Sequence, residues 1–513
     1  MIKLARNSKE HIHIEIFLGE RLMKNYIRNI LLDKMLWIFG AIAIVFFGIL
    51  SQMEFAIDTY ATLSFSLHEF IDQFASSGRF LLVFVGIVLR ILNLSSKAIY
   101  SISYLTAILC MIISLYKLYM IIKDDVKSLI FRILIPTLII LNAFSVELFL
   151  FIEKGIMLFG VMMCIFAVGE IKGWLKNKNK KSLILTFIFM LLANFSYQGI
   201  VGIFVAISIV YILKYSKNIK DFIINNIVVA LSYGIPAIID YLLIKVLYIS
   251  SRVSGNIILV DSIKKICIST KGMVVNTYNM LPKYLLVIFV ILLCALIIYQ
   301  IITKKESIKN KLIEILKVIY VIFVVILASI APQIMQNTDA IWFVARSTYS
   351  YASLFGVIVL YLYTNFGNIK KWNKIIIIIL SLILLVVQFN RFNFIEVSRY
   401  KTNEMDYEIT RKIISRINEY ETRTGEKIKN ISLYEDKSMT YAYYNIFSTG
   451  DTNIKAYSKD WGIIYILKYY SGRDFNTVEK NPEIEEKFKS KDWDNFEDEQ
   501  LIFEGDTLHL CKY

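Results

Sequence analysis

The chain has 513 residues, of which 57% are hydrophobic, and its mean hydropathy is +0.57. A soluble protein of this length is rarely so apolar, so most of the chain is expected to lie in a bilayer. The net charge of +15 comes from Lys residues in short loops between apolar runs, which is the pattern of cytoplasmic loops, and no nucleic-acid partner is expected.

The N-terminal segment contains an unusual sequence that raises the question of where translation starts. Leu18-Gly19-Glu20-Arg21-Leu22 precedes Met23, and Gly-Glu can be encoded by a purine-rich stretch like a bacterial ribosome-binding site. We therefore expect Met23 to be the true start and residues 1–22 to be a mis-assigned leader. Lys24, Arg28 and Lys34 predict that residues 1–34 end on the cytoplasmic side.

Twelve apolar runs follow along the chain, and a helix that crosses a bilayer core of about 30 Å needs roughly 17 to 25 residues. The runs are 36–51, 79–94, 99–121, 130–146, 155–171, 182–195, 197–213, 226–247, 284–302, 314–331, 343–363 and 374–389. The runs 36–51 and 79–94 are marginal in length.

The distribution of Lys residues indicates which of the two marginal runs crosses the membrane. Were 79–94 to cross, five Lys-rich loops (123–127, 172–181, 214–220, 304–311 and 370–374) would face outside. When 79–94 stays on the outer side, all basic regions fall inside, as the charge rule requires. Arg90 within this run would also be costly in a membrane. The sequence therefore predicts an interfacial helix at 79–94, eleven spanning helices within residues 35–390, and an external C-terminus.

Beyond residue 390 the chain becomes more polar. Residues 400–427 alternate charged and apolar residues at helical spacing, including Ile409, Ile413, Ile414 and Ile417. Residues 430–434 and 500–511 have the composition of strands, and 459–470 that of a helix. Residues 391–513 are predicted to form a small extracytoplasmic α/β domain.

The first external loop is acidic. Residues 52–78 contain Glu54, Asp58, Glu69 and Asp72 and have neither Lys nor Arg. A carboxylate in such a loop can act as the base that takes a proton from an acceptor hydroxyl, as glycosyl transfer requires. Asp58, close after the first helix, is the first candidate for this base. A solvated loop acid or a helix N-cap explains Asp58 equally simply. Glu69 and Asp72 share one helical face and are candidate substrate-binding residues, although such pairs usually mark a solvated face.

Two arginines on the predicted outer side could bind a phosphate group. Gly78-Arg79 ends the acidic loop, where Gly permits close backbone approach and Arg offers two donors. Arg346 follows the external segment 332–343 and begins a helix. A turn with a snorkelling Arg at residues 77–79, and a lipid-headgroup contact at Arg346, explain these residues equally well.

Three further positions fall on the same predicted side. Glu147 and Glu153 flank the apolar segment 148–152 in the second external loop. We expect at least one of them to act at the site, and a polar anchor at a helix end is the alternative for both. Tyr197-Gln198 lies at a tight external turn and could bind sugar hydroxyls or simply satisfy the turn. The five Cys and four His are dispersed and give no disulfide framework or zinc signature.

These elements together resemble the bacterial serotype-converting glucosyltransferases of type II, within the GT-C membrane glycosyltransferases. The matching residues are Asp58, Gly78-Arg79 about twenty residues later, Phe144–Gly160 with its Glu pair, Tyr197-Gln198 and Arg346. The resemblance covers roughly residues 25–390. It implies an interfacial helix in the first external loop, a first-loop Asp as catalytic base, and a polyprenyl phosphate sugar as donor. Members often carry paired acids in that loop, whereas Asp58 is followed by Thr59, which leaves a role for Mg or Mn open.

The sequence thus predicts a hexosyltransferase, most simply a glucosyltransferase, in the bacterial cell membrane. It would transfer a sugar from a polyprenyl phosphate carrier to a surface polysaccharide or a teichoic-type acceptor outside the membrane. A lipid-linked polysaccharide polymerase or ligase, a polysaccharide flippase or transporter, and a non-enzymatic partner in wall assembly are the alternatives. Transporters usually carry internal repeats and midplane polar residues, of which this chain has few.

Overall fold

The structure, a computed structural model, describes residues 31–48, 53–247, 259–304, 307–334, 336, 338–366, 369–438 and 446–512. The proposed start at Met23 and the basic residues Lys24 and Arg28 lie outside the described residues.

Within the described part the chain is mainly helical. The first helices are α1 (Lys34–Phe47), α2 (Ile57–Ser64), α3 (Leu67–Ala75), α4 (Phe80–Ile91), α5 (Ser96–Ile122), α6 (Leu129–Ile140), α7 (Ser145–Phe149), α8 (Lys154–Asn177) and α9 (Lys180–Ser196). The next are α10 (Gly202–Tyr215), α11 (Ile219–Leu247), α12 (Leu259–Asn276), α13 (Leu285–Ile302), α14 (Ile308–Ile334), α15 (Tyr349–Ala352), α16 (Leu354–Asn365) and α17 (Lys371–Thr424).

Seven helical segments among the described residues are long and apolar enough to cross a membrane. They are α5, α8, α10 with the short turn Gln198–Ile200 before it, α11, α13, α14 and α17. Three shorter apolar helices, α1, α4 and α6, accompany them. The predicted class, a helical protein with several membrane helices, is confirmed.

Helices α2, α3 and α4 form a small layer beside the long helices. α3 begins with a reciprocal cap, in which Glu69 N–H donates to Ser66 Oγ and Ser66 N–H donates to Glu69 Oε2. Phe70 packs under α4, where an added Cβ on Gly86 would lie 2.2 Å from its ring. Arg90, near the end of α4, donates from Nη2 to the Thr62 carbonyl at 2.9 Å. The middle and the C-terminal end of α4 are therefore tied to α2 and α3.

Residues 430–512 contain a four-stranded sheet and two helices. The strands are β1 (Asn430–Glu435), β2 (Asn476–Thr477), β3 (Leu501–Glu504) and β4 (Thr507–Lys512), with α18 (Asp460–Ser471) and α19 (Pro482–Lys489). The spatial order is β2-β1-β4-β3. β1 is parallel to β2 and β4, with Asn430 opposite Thr507, and β3 is antiparallel to β4. The strands and the helix expected in this region are found within a few residues of the predicted bounds.

The long helix α17 differs from the sequence-based expectation of a membrane helix at 374–389 and a separate helix at 400–427. It runs for 54 residues without a break, so the predicted boundary at 390 lies inside it. It ends at Gly425, whose φ of +78° is the left-handed conformation favoured at helix C-termini. Its final turns bury Ile409, Ile413 and Ile417 against the sheet, in the same cluster as Ile431.

Side chains on α17 also hold the loops that surround the candidate site. Asn403 makes two hydrogen bonds to the backbone of Phe55, of 2.7 and 2.9 Å. Buried Arg399 donates to the Leu150 carbonyl at 3.1 Å, and Asp406 accepts from Ala456 N–H at 2.9 Å. One helix therefore fixes the positions of three separate segments.

Candidate functional site

A cavity of about 1020 Å³ lies between the α2–α4 layer, the start of α8, the turn before α10, helix α11 and the 446–512 region. Six of the residues predicted from the sequence line it, namely Asp58, Arg79, Glu153, Tyr197, Gln198 and Arg346. They come from four separate parts of the chain. Their convergence makes this cavity the candidate site.

Asp58 lies in the first turn of α2, where a carboxylate is favoured by the helix dipole. Its backbone carbonyl accepts the Thr62 hydroxyl at 2.8 Å, and its side chain lines the cavity. Within the described residues the carboxylate has no hydrogen bond or ion pair. Burial raises the pKa of Asp58 above its usual range; Arg346 opposes this shift, and the negative charges of Glu153 and Asp451 add to it.

Arg79 enters the cavity from a tight turn. Gly78 has φ +76°, and an added Cβ there would lie 2.5 Å from Gln198 Nε2, so the turn requires Gly on both counts. Arg79 Nη1 is 3.3 Å from Glu153 Oε1, and its guanidinium lies 4.9 Å from the centre of the Tyr197 ring. A guanidinium with one carboxylate partner and one aromatic face retains donors for an incoming anion.

Arg346 forms ion pairs with two carboxylates, those of Glu147 and Asp451. Its Nη1 is 3.3 Å from Glu147 Oε1, and its backbone N–H donates to Glu147 Oε2 at 2.5 Å. Its Nη2 is 2.5 Å from Asp451 Oδ2, and the guanidinium stacks 4.1 Å from the centre of the Phe151 ring. Glu147 is 1% exposed and does not line the cavity, so the structure gives it the position of an anchor for Arg346.

The Tyr197-Gln198 turn connects the acidic loop to the membrane helices. Gln198 Nε2 donates to Asp240 Oδ2 on α11 at 2.7 Å and to the Ser77 carbonyl at 3.1 Å. Tyr197 is 6% exposed and presses its ring on Arg79. This turn shapes the wall of the cavity and fixes the position of Arg79.

Glu69 and Asp72 are not brought into the cavity. Glu69 caps α3 through Ser66, and exposed Asp72 lies 3.2 Å from His68 Nε2. Both face away from the cavity on the outer face of α3. The sequence-based alternative of a solvated helix face describes their surroundings.

Several lining residues were not identified from the sequence. Asp240 is the clearest, since a lone Asp inside an apolar run marks a functional candidate. Asp451, Trp461 and Tyr465 come from the C-terminal region, where their sequence neighbourhood gives no signal. Gly462 explains their position, because α18 approaches α2 so closely that an added Cβ would lie 2.4 Å from Ile57 Cδ1.

A bound metal was left open by the sequence. Among the described residues no group of three or more His, Cys, Asp or Glu side chains could hold a metal ion.

The cavity combines the partly exposed Asp58 carboxylate, which no other described residue pairs with, two anchored guanidinium groups, and a wall of aromatic and apolar side chains from α11 and α18. Such a site can accept a proton, bind an anion and enclose a largely apolar ligand. Comparison of the chain with family models, with curated proteins and with solved structures found no match.

Proposed function

We propose that the protein is a membrane glycosyltransferase of the GT-C type that transfers a hexose, most simply glucose, from a polyprenyl phosphate carrier to a surface glycan. The observation that carries this proposal is that Asp58, Arg79 and Arg346 line one cavity. A base and two phosphate-binding cations are what transfer from a phosphate-activated sugar requires.

The proposed reaction gives a role to each of these three residues. Asp58 takes the proton from an acceptor hydroxyl, whose oxygen attacks the anomeric carbon of the donor sugar. The bond between that carbon and the phosphate oxygen breaks, and polyprenyl phosphate leaves with the bonding electrons. Arg79 and Arg346 stabilise the negative charge that develops on the phosphate. No metal is assigned a step.

The membrane helices offer a path for the lipid tail. Tyr233, Ala237, Tyr241 and Ile244 of α11 line the cavity and recur at the spacing of one helix face. A polyprenyl chain could lie along this face while its phosphate reaches the two arginines.

We propose eleven crossings, formed by the seven long helices, α1, α9, the α6–α7 pair and the α15–α16 pair. Helix α4, with 12 residues and thus about 18 Å long, would stay in the outer interface. Two contacts support this interfacial position of α4. Arg79, just before the helix, lines the cavity, and Arg90, near its end, donates a hydrogen bond to α2. With the N-terminus in the cytoplasm, residues from the outer part of α17 onward would form an extracytoplasmic unit.

The test is an assay with purified protein and polyprenyl phosphate [¹⁴C]glucose, with wall and membrane glycans as acceptors. Transfer of label to glycan supports the proposal. A donor that stays intact under conditions in which the protein is folded would overturn it.

Asp240 is the observation that favours a transporter instead, because buried acids on membrane helices often mark transport pathways. It is 3% exposed and lies on α11. Proteoliposomes that move a polyprenyl phosphate sugar between leaflets without cleaving it would establish that alternative.

The raised pKa of Asp58 predicts the pH dependence of transfer. Only the ionised carboxylate can accept a proton, so the rate should fall on the acid side, at a higher pH than an Asp of ordinary pKa 3.8 would give. Glu153 raises this pKa, so Glu153→Gln should move the acid limb to lower pH. A pH–rate profile measures this, and Glu408→Gln, an exposed acid on α17, is the control that should leave it in place.

Glu69→Ala and Asp72→Ala should keep their transfer rates near wild type because neither side chain lines the cavity. Glu69→Ala should still lower stability by about 1 kcal/mol through loss of the capping box. Thermal midpoints and initial rates in detergent would measure both effects. A tenfold loss of transfer rate in a folded variant would show that the substituted acid does act at the site.

A further inference from the structure

A second, smaller cavity of about 330 Å³ meets the first one at the proposed base. Four residues line both cavities: Asp58, Trp342, Asp451 and Trp461. The remaining walls of the small cavity come from Ile57 and from three C-terminal residues, Gly450, Ile454 and Lys459. Asp58 therefore lies between a space bordered by membrane helices and a space bordered mainly by the C-terminal region.

Two tryptophans border this junction, and a large fraction of each is exposed. Trp342 is 59% exposed and Trp461 is 41% exposed. Exposing so much indole surface is unfavourable in water, and aromatic side chains around a concave site are typical of ligand binding. The apolar face of a sugar ring fits on such a surface, while its hydroxyls remain free to bond.

Contacts with neighbouring residues fix the Trp342 side chain and the backbone at Trp461. Trp342 Nε1 donates to Asp451 Oδ2 at 3.3 Å, and its backbone N–H donates to Gln333 Oε1 at 3.2 Å. Trp461 precedes Gly462, whose close contact with Ile57 sets the approach of α18 to α2. The Trp342 indole is thus held by a hydrogen bond, and the Trp461 backbone lies next to the helix that carries Asp58.

The charges at the junction favour an acceptor sugar without phosphate. The two ionisable groups common to both cavities are the carboxylates of Asp58 and Asp451, and Asp451 already pairs with Arg346. Lys459 is exposed on the outer wall. A phosphate near the base would therefore meet carboxylate oxygens, whereas a hydroxyl can donate to them.

We propose that the small cavity and its two tryptophans form the acceptor subsite, which binds a sugar residue of a phosphate-free surface glycan and presents its hydroxyl to Asp58. This inference rests on the proposed function. The donor then occupies the large cavity with its phosphate at the arginines, and the two substrates meet at Asp58. The C-terminal region supplies part of the specificity.

Trp342→Ala and Trp461→Ala test the subsite. Each should raise the KM for acceptor about tenfold and the KM for donor much less, because the donor phosphate is bound by the two arginines and not by the indoles. Trp→Phe at each position should recover most of the loss. Trp372→Ala removes a still more exposed indole, at 75%, that lines neither cavity, and should change neither KM.

If the two tryptophans were instead anchors in the membrane interface, their Ala variants would lower insertion or raise both KM values equally. This outcome would overturn the proposal. Unchanged acceptor KM in folded Ala variants would overturn it as well. In both cases the wild-type protein still transfers label, so the proposed function itself would stand.

The acceptor class is tested by separating wall and membrane glycans on an anion exchanger into a neutral and a phosphate-bearing fraction. Polyprenyl phosphate [¹⁴C]glucose is the donor. Label in the neutral fraction is the expected result, and label confined to the phosphate-bearing fraction would overturn the acceptor assignment. An intact donor with neither fraction labelled would contradict the proposed function, and the acceptor subsite with it.

Discussion

Asp58→Asn is expected to lower the rate of sugar transfer by about 10²- to 10⁴-fold, the usual contribution of a general base. Asn has nearly the same shape but cannot take the proton from the acceptor hydroxyl. In the described part of the chain the Asp58 side chain has no bonding partner, so the change should leave the fold intact. Steady-state transfer with labelled donor measures the effect, and the thermal midpoint in detergent checks folding.

The same variant separates catalysis from donor binding. Removing a negative charge near Arg346 and Arg79, both of which interact with Asp58, should leave the affinity for the anionic donor unchanged or slightly higher. Glu408→Gln again provides an exposed acid-to-amide control. Full transfer activity in folded Asp58→Asn protein would exclude Asp58 as the base.

The sequence predicted six of the lining residues because the predicted topology places loops of the same parity on one side of the membrane. Asp58, Arg79, Glu153 and Arg346 each lie at or beside a predicted external helix end, and the structure brings them to one cavity. The pairing between them could not be predicted. Glu147 and Arg346 are 199 residues apart, and nothing in either local sequence indicates that one anchors the other.

The C-terminal contribution was missed for a different physical reason. The stretch from Phe389 to Arg399 changes from apolar to charged, which resembles a boundary, but it contains neither Pro nor Gly to break a helix. The helix therefore continues through it. How the following sheet and α18 return to α2 depends on tertiary contacts such as that of Gly462 with Ile57, which hydropathy does not encode.

Arg346→Met is expected to have the largest combined effect on stability and activity. Glu147 is 1% exposed and would keep a buried carboxylate without its cation, which typically costs about 3–5 kcal/mol. Loss of a phosphate-binding cation should also reduce transfer by about 10²- to 10³-fold. Arg346→Lys should restore little, because a single ammonium cannot replace a guanidinium that bonds to Glu147 and Asp451 at once.

The double variant Arg346→Met with Glu147→Leu distinguishes anchoring from chemistry. Removing both buried charges should recover much of the lost stability, since apolar replacements of buried ion pairs are often neutral or better. Transfer should remain low because the phosphate still lacks its cation. Arg416→Met is the matched control, since that Arg is 42% exposed and pairs with exposed Glu419 and Asp498, and its loss should leave the thermal midpoint close to that of the wild type. If the double variant regained activity together with stability, Arg346 would have only a structural role, and the phosphate would have to be bound by Arg79 alone.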